Sequence, residues 1–94
     1  MANIFLKSDV FVLEISGEID LHTFQPSDVV SLVDEYILCC HEKGLREIKI
    51  IHGKGKGILK KKVHSVLYEH PLVRNFYIDT YSESGWGATI VELV

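Results

Sequence analysis

The sequence predicts a two-layer α/β sandwich, in which two helices cover one face of a mixed four-stranded sheet. Three observations support this fold class. Runs of β-forming residues alternate with amphipathic stretches in the order βαβαββ, only two stretches have helical periodicity, and no Pro/Gly/Ser-rich linker divides the 94 residues. Strand–helix–strand connections favour parallel pairing of the early strands, whereas the last two strands can form a hairpin. Because only two helices are available, two layers are more economical than three.

The first half of the chain carries three predicted elements. Residues 10–15 are rich in β-forming side chains and predict a strand or an extended arm, and residues 19–22 alternate apolar and polar side chains as a short strand does. Pro26 suits the first residue of a helix, because its missing N–H costs nothing there. Gly44 marks the end of this helix. Its apolar face recurs at intervals of three and four: Val29, Val30, Val33, Tyr36, Ile37 and Cys40.

The second half carries a strand, a glycine segment, a helix and two further strands. Three isoleucines within residues 48–51 predict a buried strand, which leads into residues 52–57. A helix is predicted at 58–70, and strands follow at 75–81 and 88–93. The apolar face of the second helix consists of Leu59, Val63, Val66, Leu67 and His70.

The glycine segment between the strand and the second helix is the most informative part of the chain. It consists of His52, Gly53, Lys54, Gly55, Lys56 and Gly57. A P-loop needs Ser or Thr after its Gly-Lys pair, and the dinucleotide fingerprint needs unevenly spaced glycines, so both nucleotide motifs are excluded. Glycines let the backbone turn and approach another molecule, and the first amides of a following helix can bind an anion. The segment therefore predicts contact with the phosphates of a molecule larger than a nucleotide cofactor.

The net charge of −3 conceals an uneven distribution of basic residues. Eight of the ten lie between positions 43 and 62, opposed there only by Glu47: Lys43, Arg46, Lys49, Lys54, Lys56, Lys60, Lys61 and Lys62. This distribution predicts a basic patch centred on the glycine segment, as a nucleic-acid-binding surface requires. Taken alone, Lys60–Lys62 also fit a solvated helix face.

Five polar residues are expected to surround one shallow site. Asp20 and His22 are two apart on a predicted strand, so they point to the same side, and His52, Lys54 and Lys56 follow the end of a second strand. Ligands of open α/β sheets bind outside the carboxyl ends of the strands. One histidine can accept a proton from water or a 2′-hydroxyl, and the other can protonate the leaving oxygen. Asp20 can orient His22 or hold a divalent ion, and each histidine is also compatible with a purely structural role.

The remaining polar and aromatic candidates point to less specific roles. Cys39-Cys40-His41 does not indicate a metal site, because a helix sends these side chains to different faces; Cys40 is expected to fill the core. His64 is expected to face solvent, and His70 is expected to cap the end of the second helix favourably. Trp86, between two glycines, either stacks on a base or packs over the final hairpin.

Three separated motifs occur in a characteristic order. They are Ile19-Asp20-Leu21-His22, then His52-Gly53-Lys54-Gly55 with Gly57-Ile58-Leu59, then Gly85-Trp86-Gly87-Ala88-Thr89-Ile90-Val91. Together they resemble the small MutS-related (Smr) domain over residues 19–94, which leaves residues 1–18 as an N-terminal strand or extended arm. Two departures stand out: Thr23 replaces a frequent glycine, and Lys60 replaces a frequent arginine that would bind phosphate through two hydrogen bonds.

The resemblance implies both a fold and a function. The family fold is similar to the C-terminal domain of bacterial translation initiation factor three, and members are associated with binding and cleaving DNA or RNA, alone or at the C-terminus of MutS2. Nuclease activity would map to Asp20 and His22, and substrate contact or catalysis to the segment that begins at His52. Together with the charge pattern, the expected nucleic-acid-binding residues are Gly53, Lys54, Gly55, Lys56, Gly57, Lys60, Lys61 and Trp86.

The leading functional prediction is a nucleic-acid-binding domain with endonuclease activity. Two alternatives stay open: a non-catalytic module that docks on structured nucleic acid or the ribosome, and a protein-interaction domain that uses the hairpin around Trp86. Phosphate contacts do not separate DNA from RNA. Asp20 alone supplies too few ligands for a protein-built Mg²⁺ or Mn²⁺ site, although substrate oxygens and water can complete one.

Composition bounds the expected location of the chain. No apolar run approaches the roughly 20 residues of a membrane span, and the first residues lack the basic and apolar regions of a secretion signal. The two cysteines are adjacent and not expected to bridge. These observations predict a reduced, cytoplasmic protein without a membrane partner.

Overall fold

The computed structural model describes residues 2–6, 9–80 and 87–94. Within these residues it contains six strands and two α-helices, and no helix has the length and apolar character needed to cross a membrane. In chain order they are β1 (Ala2–Leu6), β2 (Asp9–Leu13), β3 (Glu18–Asp20), α1 (Val29–Glu42), β4 (Glu47–Ile51), α2 (Ile58–Glu69), β5 (Val73–Ile78) and β6 (Ala88–Leu93).

The main sheet has four strands in the order β3-β4-β6-β5. β3 pairs with β4 in parallel, while β6 pairs antiparallel with both β4 and β5. The predicted mixed sheet, the parallel pairing of early strands and the terminal β5–β6 pairing are therefore confirmed. β5 also runs parallel to β4, as a crossover through α2 requires, but β6 lies between them.

The N-terminal residues form a separate two-stranded antiparallel hairpin. β1 pairs with β2 from Ala2 opposite Leu13 to Leu6 opposite Asp9. β2 overlaps the strand predicted at 10–15, whereas β1 has no counterpart in the sequence prediction. Ile4 of β1 is buried, and the hairpin contacts α1 through this strand. This long-range packing, rather than local periodicity, distinguishes the short β1 segment as a strand.

One core lies between the helices and the sheet. Helix α1 buries the residues at positions 29, 32, 33, 36, 37 and 40. Five of its six predicted core residues are therefore confirmed. The sixth, Val30, is 46% exposed, and Leu32 takes the corresponding place in the core. Cys40 is buried and unbridged, as expected. Helix α2 contributes Val63 and Leu67.

His70 joins the two helices where α2 ends. Its Nε2 lies 3.0 Å from the Asp34 carboxylate on α1, and its Nδ1 accepts a hydrogen bond of 3.1 Å from the Leu72 amide. An accepting Nδ1 fixes the hydrogen on Nε2 when the ring is neutral, so the ring donates to Asp34. The ring therefore ties α1 to α2 and does not cap the last carbonyls of α2.

Tyr36 fixes the start of β3 against α1. Its buried hydroxyl accepts a hydrogen bond from the Gly17 amide and donates one to the Glu18 carbonyl, both at 3.2 Å. Burial, with a smaller contribution from Cys40, raises the pKa of Tyr36 to about 12, so the hydroxyl keeps its proton at neutral pH. Tyr36 thus holds β3 at Glu18, two residues before Asp20.

We expect Tyr36→Phe to lower the free energy of unfolding by about 1 kcal/mol, because it leaves two backbone groups at the start of β3 without their partner. Urea denaturation followed by circular dichroism measures this change. Tyr68→Phe is the matched control, since Tyr68 is 83% exposed. Equal stability of the two variants would contradict the anchoring role of Tyr36.

Candidate functional site

The carboxyl ends of β3 and β4 lie side by side at one edge of the main sheet. Asp20 pairs with Ile51 in the parallel register, and the Leu21 amide donates to the Ile51 carbonyl at 2.9 Å. Neighbouring strands are roughly 4.8 Å apart. The Asp20–His22 segment and the glycine segment after Ile51 therefore leave the sheet together, as the sequence predicts.

Asp20 and His22 form an exposed hydrogen-bonded couple. One carboxylate oxygen of Asp20 lies 2.7 Å from Nδ1 of His22 and also accepts the His22 backbone N–H at 3.0 Å. Burial raises the pKa of Asp20, but the two hydrogen bonds and the charge of His22 lower it by more, so the net direction is downward. Because a carboxylate only accepts, Nδ1 carries a hydrogen and Nε2 faces outward. The His22 side chain is 73% exposed.

His52 is buried on the other face of the sheet edge. Strand alternation places it with Ile48 and Ile50, toward the helices, whereas Asp20 faces away from them. Its Nδ1 lies 3.0 Å from the Gly53 carbonyl, and its Nε2 lies 2.8 Å from the Thr89 hydroxyl. Burial lowers the pKa of His52, with a smaller lowering from Lys60, against a raising hydrogen bond to Gly53. The structure brings Asp20 and His22 into contact, whereas the His52 ring lies on the opposite face of the sheet and bonds to Gly53 and Thr89 instead.

Thr89 and His64 complete the surroundings of His52. Nε2 of His64 also lies 2.8 Å from the Thr89 hydroxyl, and the His64 ring packs on Phe76 with centroids 5.1 Å apart. The expectation that His64 faces solvent is wrong, because this side chain turns under α2 toward the sheet. Sequence reasoning missed both residues, although His64 lies one turn from the core residue Leu67 and Thr89 shares a strand face with Val91.

The glycine segment opens a small cleft before α2. Gly53 and Gly57 both have φ of +80°, a conformation that side chains with a Cβ rarely adopt. The amides of His52 and Gly53 both donate to the Gly87 carbonyl, at 3.0 and 2.8 Å. No side chain in the described part of the chain caps the amides of the first turn of α2, and that turn holds no acidic residue. This cleft, called the loop cleft below, has a volume of about 130 Å³ and is lined by His52, Gly53 and residues 55–60.

The basic patch is narrower than the sequence predicts. Lys54, Lys56 and Lys60–Lys62 lie in or beside the glycine segment, and none forms an ion pair with a described residue. The other three basic residues lie elsewhere. Lys43 donates to the Ile15 carbonyl at 2.7 Å, Arg46 precedes β4 at its opposite end, and Lys49 pairs with Asp79 at 3.4 Å.

Two further expectations concern a divalent ion and Trp86. Across the described part of the chain, no three His, Cys, Asp or Glu side chains lie close enough to hold a metal ion together. The described donors therefore do not form a protein-built divalent site, and Asp20 already accepts two hydrogen bonds from His22. Trp86, expected to contact nucleic acid, lies outside the described residues.

Fold and site together define an α/β domain whose lysine-rich glycine segment lies beside an exposed Asp–His couple. The Smr domain family model matches residues 19–94, and this chain belongs to that family. The resemblance of the three motifs to the family is thereby confirmed.

Known relatives and solved structures agree with this assignment. Endonuclease MutS2 of Clostridium tetani is 40% identical over 79 residues, which is 84% of this chain and 10% of that protein. Endonuclease MutS2 of Caldicellulosiruptor saccharolyticus is 43% identical over 75 residues, or 80% of this chain and again 10% of the relative. The chain thus spans about a tenth of the length of these relatives.

Two crystal structures share the fold, each with a TM-score of 0.76. The Smr domain of Thermus thermophilus MutS2 is 28% identical, and the match covers 82% of this chain and 96% of that one. YdaL, a stand-alone small MutS-related protein from Escherichia coli, is 26% identical, with 82% and 63% coverage.

We expect the free energy of unfolding to fall as the pH drops from about 7.5 to about 5.5. Burial holds the pKa of both His52 and His64 below the ordinary 6.5. Below pH 6.5 the two histidines bind protons in the unfolded chain that they do not bind in the folded chain. For each group, this difference lowers the free energy of unfolding by up to about 1.4 kcal/mol per pH unit. Their contribution to stability is therefore complete above pH 6.5 and is lost as the pH falls.

Urea denaturation at a series of pH values measures this dependence. The double variant His52→Gln, His64→Gln should flatten it, because both depressed groups are removed. His41→Gln should retain it, since His41 bonds the Val94 carbonyl away from this cluster. An unchanged slope in the double variant would contradict the burial argument.

Proposed function

We propose that this chain binds the phosphate backbone of DNA or RNA and cleaves phosphodiester bonds. The observation that carries the proposal is the juxtaposition, at one sheet edge, of two features: an exposed imidazole oriented by a carboxylate, and a glycine segment whose lysines form no ion pair with a described residue. Membership of the Smr family, and the name endonuclease given to the MutS2 relatives, support it. Phosphate contacts alone do not select DNA over RNA.

His22 is the group we assign to proton transfer. Its Nδ1 is held by Asp20 at 2.7 Å, which orients the ring and leaves Nε2 as the outward acceptor. Nε2 accepts the proton of the attacking water or 2′-hydroxyl as the new P–O bond forms. The carboxylate of Asp20 stabilises the resulting imidazolium. The departing oxygen takes its proton from solvent.

The glycine segment supplies the charge that binds and stabilises the phosphate. Lys54 and Lys56 are exposed beside the loop cleft, and Lys60 lines it. The first backbone N–H groups of α2, which no described side chain caps, direct partial positive charge toward the same region. Negative charge that develops on the phosphoryl oxygens is therefore offset by side chains and backbone together. Buried His52, hydrogen-bonded to Gly53, acts as a positioning residue for this segment.

A non-catalytic docking module is the second candidate function. It is favoured by one observation: of the two predicted catalytic histidines, only His22 is exposed, while both ring nitrogens of His52 are occupied. In this case the same surface binds nucleic acid, or a ribosome, without forming a product. The two candidates agree on binding and differ in cleavage.

We expect His22→Ala to reduce cleavage of labelled DNA or RNA by at least about a hundredfold, because general base catalysis is lost. The dissociation constant should change less than twofold, since the lysines remain. Gel analysis of products and fluorescence anisotropy measure the two quantities. Reactions with EDTA, Mg²⁺ and Mn²⁺ run in parallel, because substrate oxygens and water can complete the coordination of a divalent ion beside Asp20.

His41→Ala, purified in the same way, is the control for loss of a histidine and for contaminating nuclease. Cleavage by His22→Ala at the wild-type rate would overturn the assigned mechanism. Binding without any product from the wild-type chain, under every metal condition, would identify the docking module.

We expect Lys54→Glu and Lys56→Glu each to weaken binding to all sequences alike. Each should also reduce the slope of log K against log salt concentration by about one, because a phosphate contact and its released counterion are lost. Arg46→Glu makes the same charge change at the opposite end of β4. An equal loss in that control would show that net charge, and not the glycine segment, determines binding.

A further inference from the structure

The Thr89 hydroxyl links two histidines in a directional chain of hydrogen bonds. A carbonyl can only accept, so the contact with Gly53 places a hydrogen on Nδ1 of His52. In the neutral ring, Nε2 of His52 then accepts the hydrogen of Thr89. Thr89 has one hydrogen, so its oxygen accepts from Nε2 of His64. The chain therefore runs from His64 through Thr89 and His52 to the Gly53 carbonyl.

This direction leaves Nδ1 of His64 as an unused acceptor. No described residue bonds to that atom. Every buried side-chain nitrogen and oxygen of the described residues has a hydrogen-bond partner, so the unpartnered Nδ1 reaches the surface. His64 is thus a ring with one nitrogen tied to the core and the other open to a ligand.

His64 lies in a second basic cleft, next to the loop cleft. This α2 cleft has a volume of about 380 Å³ and is lined by Lys56, Gly57, Ile58, Lys60, Lys61 and His64. That volume exceeds the roughly 300 Å³ from which small-molecule sites begin. Lys56, Gly57, Ile58 and Lys60 line both clefts. The two clefts therefore adjoin, and the side chain of Ile58, 57% exposed, lies at their shared edge.

We propose that the α2 cleft is a second phosphate-binding site, in which His64 takes up a proton on Nδ1 and donates it in a hydrogen bond to the phosphate. The proposal rests on the proposed function, in that the phosphate belongs to the same polymer whose neighbouring phosphate occupies the loop cleft. Three lysines supply the remaining positive charge. The exposed Ile58 offers an apolar surface to a sugar or base between the two phosphates.

The protonated ring fits the hydrogen-bond chain without rearrangement. A proton added at Nδ1 leaves the Nε2–H of His64 in place, so the bonds to Thr89, His52 and Gly53 persist. Protonation of His52 would instead remove the acceptor of the Thr89 hydrogen. His64 is therefore the member of the chain that can gain charge while the glycine segment keeps its geometry.

In the free protein the surroundings disfavour the charged form of His64. Burial lowers the pKa of His64, and the nearby His52 and Lys60 lower it further. Phe76, from β5, and Thr89, from β6, face the ring without charge, and no acidic side chain of the described residues is paired with it. Lys56, Lys60 and Lys61 are the charged groups of the cleft itself. A bound phosphate reverses this balance, because its negative charge favours the imidazolium.

The test follows the His64 imidazole by NMR as the pH is varied, with and without a ligand. The probes are a six-nucleotide deoxythymidine strand and inorganic phosphate, each at saturating concentration and constant ionic strength. We expect the midpoint of His64 to rise by at least about one pH unit with the oligonucleotide, which corresponds to about a tenfold linked change in affinity. A rise with inorganic phosphate as well identifies the phosphate group alone as sufficient; a rise with the oligonucleotide only identifies the polymer as its source.

The second readout is the affinity for the oligonucleotide. It is measured in protein that carries His22→Gln, so that this exposed histidine does not contribute to the pH dependence of binding. Binding of the oligonucleotide should strengthen as the pH falls from about 7.5 to about 6.0, and His64→Gln should remove that increase, whereas His41→Gln should not. An unchanged His64 midpoint with the oligonucleotide bound would overturn this inference alone. Absence of oligonucleotide binding at any pH would instead overturn the proposed function, while the inorganic phosphate titration would still test the cleft.

Discussion

The parallel pairing of β3 with β4 is the constraint on which the rest of the structure depends. Parallel neighbours need a crossover, and α1 supplies it while burying one face on the sheet. The same pairing brings the carboxyl ends of β3 and β4 together at one edge of the sheet. The hydrogen bond from the Leu21 amide to the Ile51 carbonyl joins these two ends. Tyr36 then fixes the start of β3. Without this geometry, Asp20 and the glycine segment would have no reason to be neighbours.

Burial divides the histidines into different chemical roles. His22 is 73% exposed and oriented by Asp20, so its free nitrogen can exchange protons with a ligand. His52 has no free nitrogen, and burial lowers its pKa. His64 lies between these extremes, with one nitrogen committed to Thr89. In the proposed function, His22 would carry a proton, His52 would position the glycine segment and His64 would bind a phosphate, according to which ring nitrogens the fold leaves available.

The order of elements and the two strand-end segments were predictable because both depend on local signals. Helical periodicity marks α1, and isoleucines within 48–51 mark β4. The hydrogen-bonded cluster around Thr89 was not predictable, because it joins residues 52, 64 and 89, whose proximity depends on sheet order. Lys49 shows the same limit: its charge belongs to the basic run in sequence, yet it pairs with Asp79 two strands away. Periodicity in the sequence identifies which face of a helix or strand is buried. Only the tertiary structure shows which residues of other elements contact that face.

The position of β6 has a consequence for how the domain folds. This strand follows every other described element in the chain, yet it lies inside the sheet, between β4 and β5. The edges of β4 and β5 that face each other therefore lack a hydrogen-bonding partner until β6 inserts between them, which makes completion of the sheet a late, long-range event. β6 also carries Thr89, and the Gly87 carbonyl just before it binds the amides of the glycine segment. During synthesis, the glycine segment would acquire its final shape only after this strand has been made.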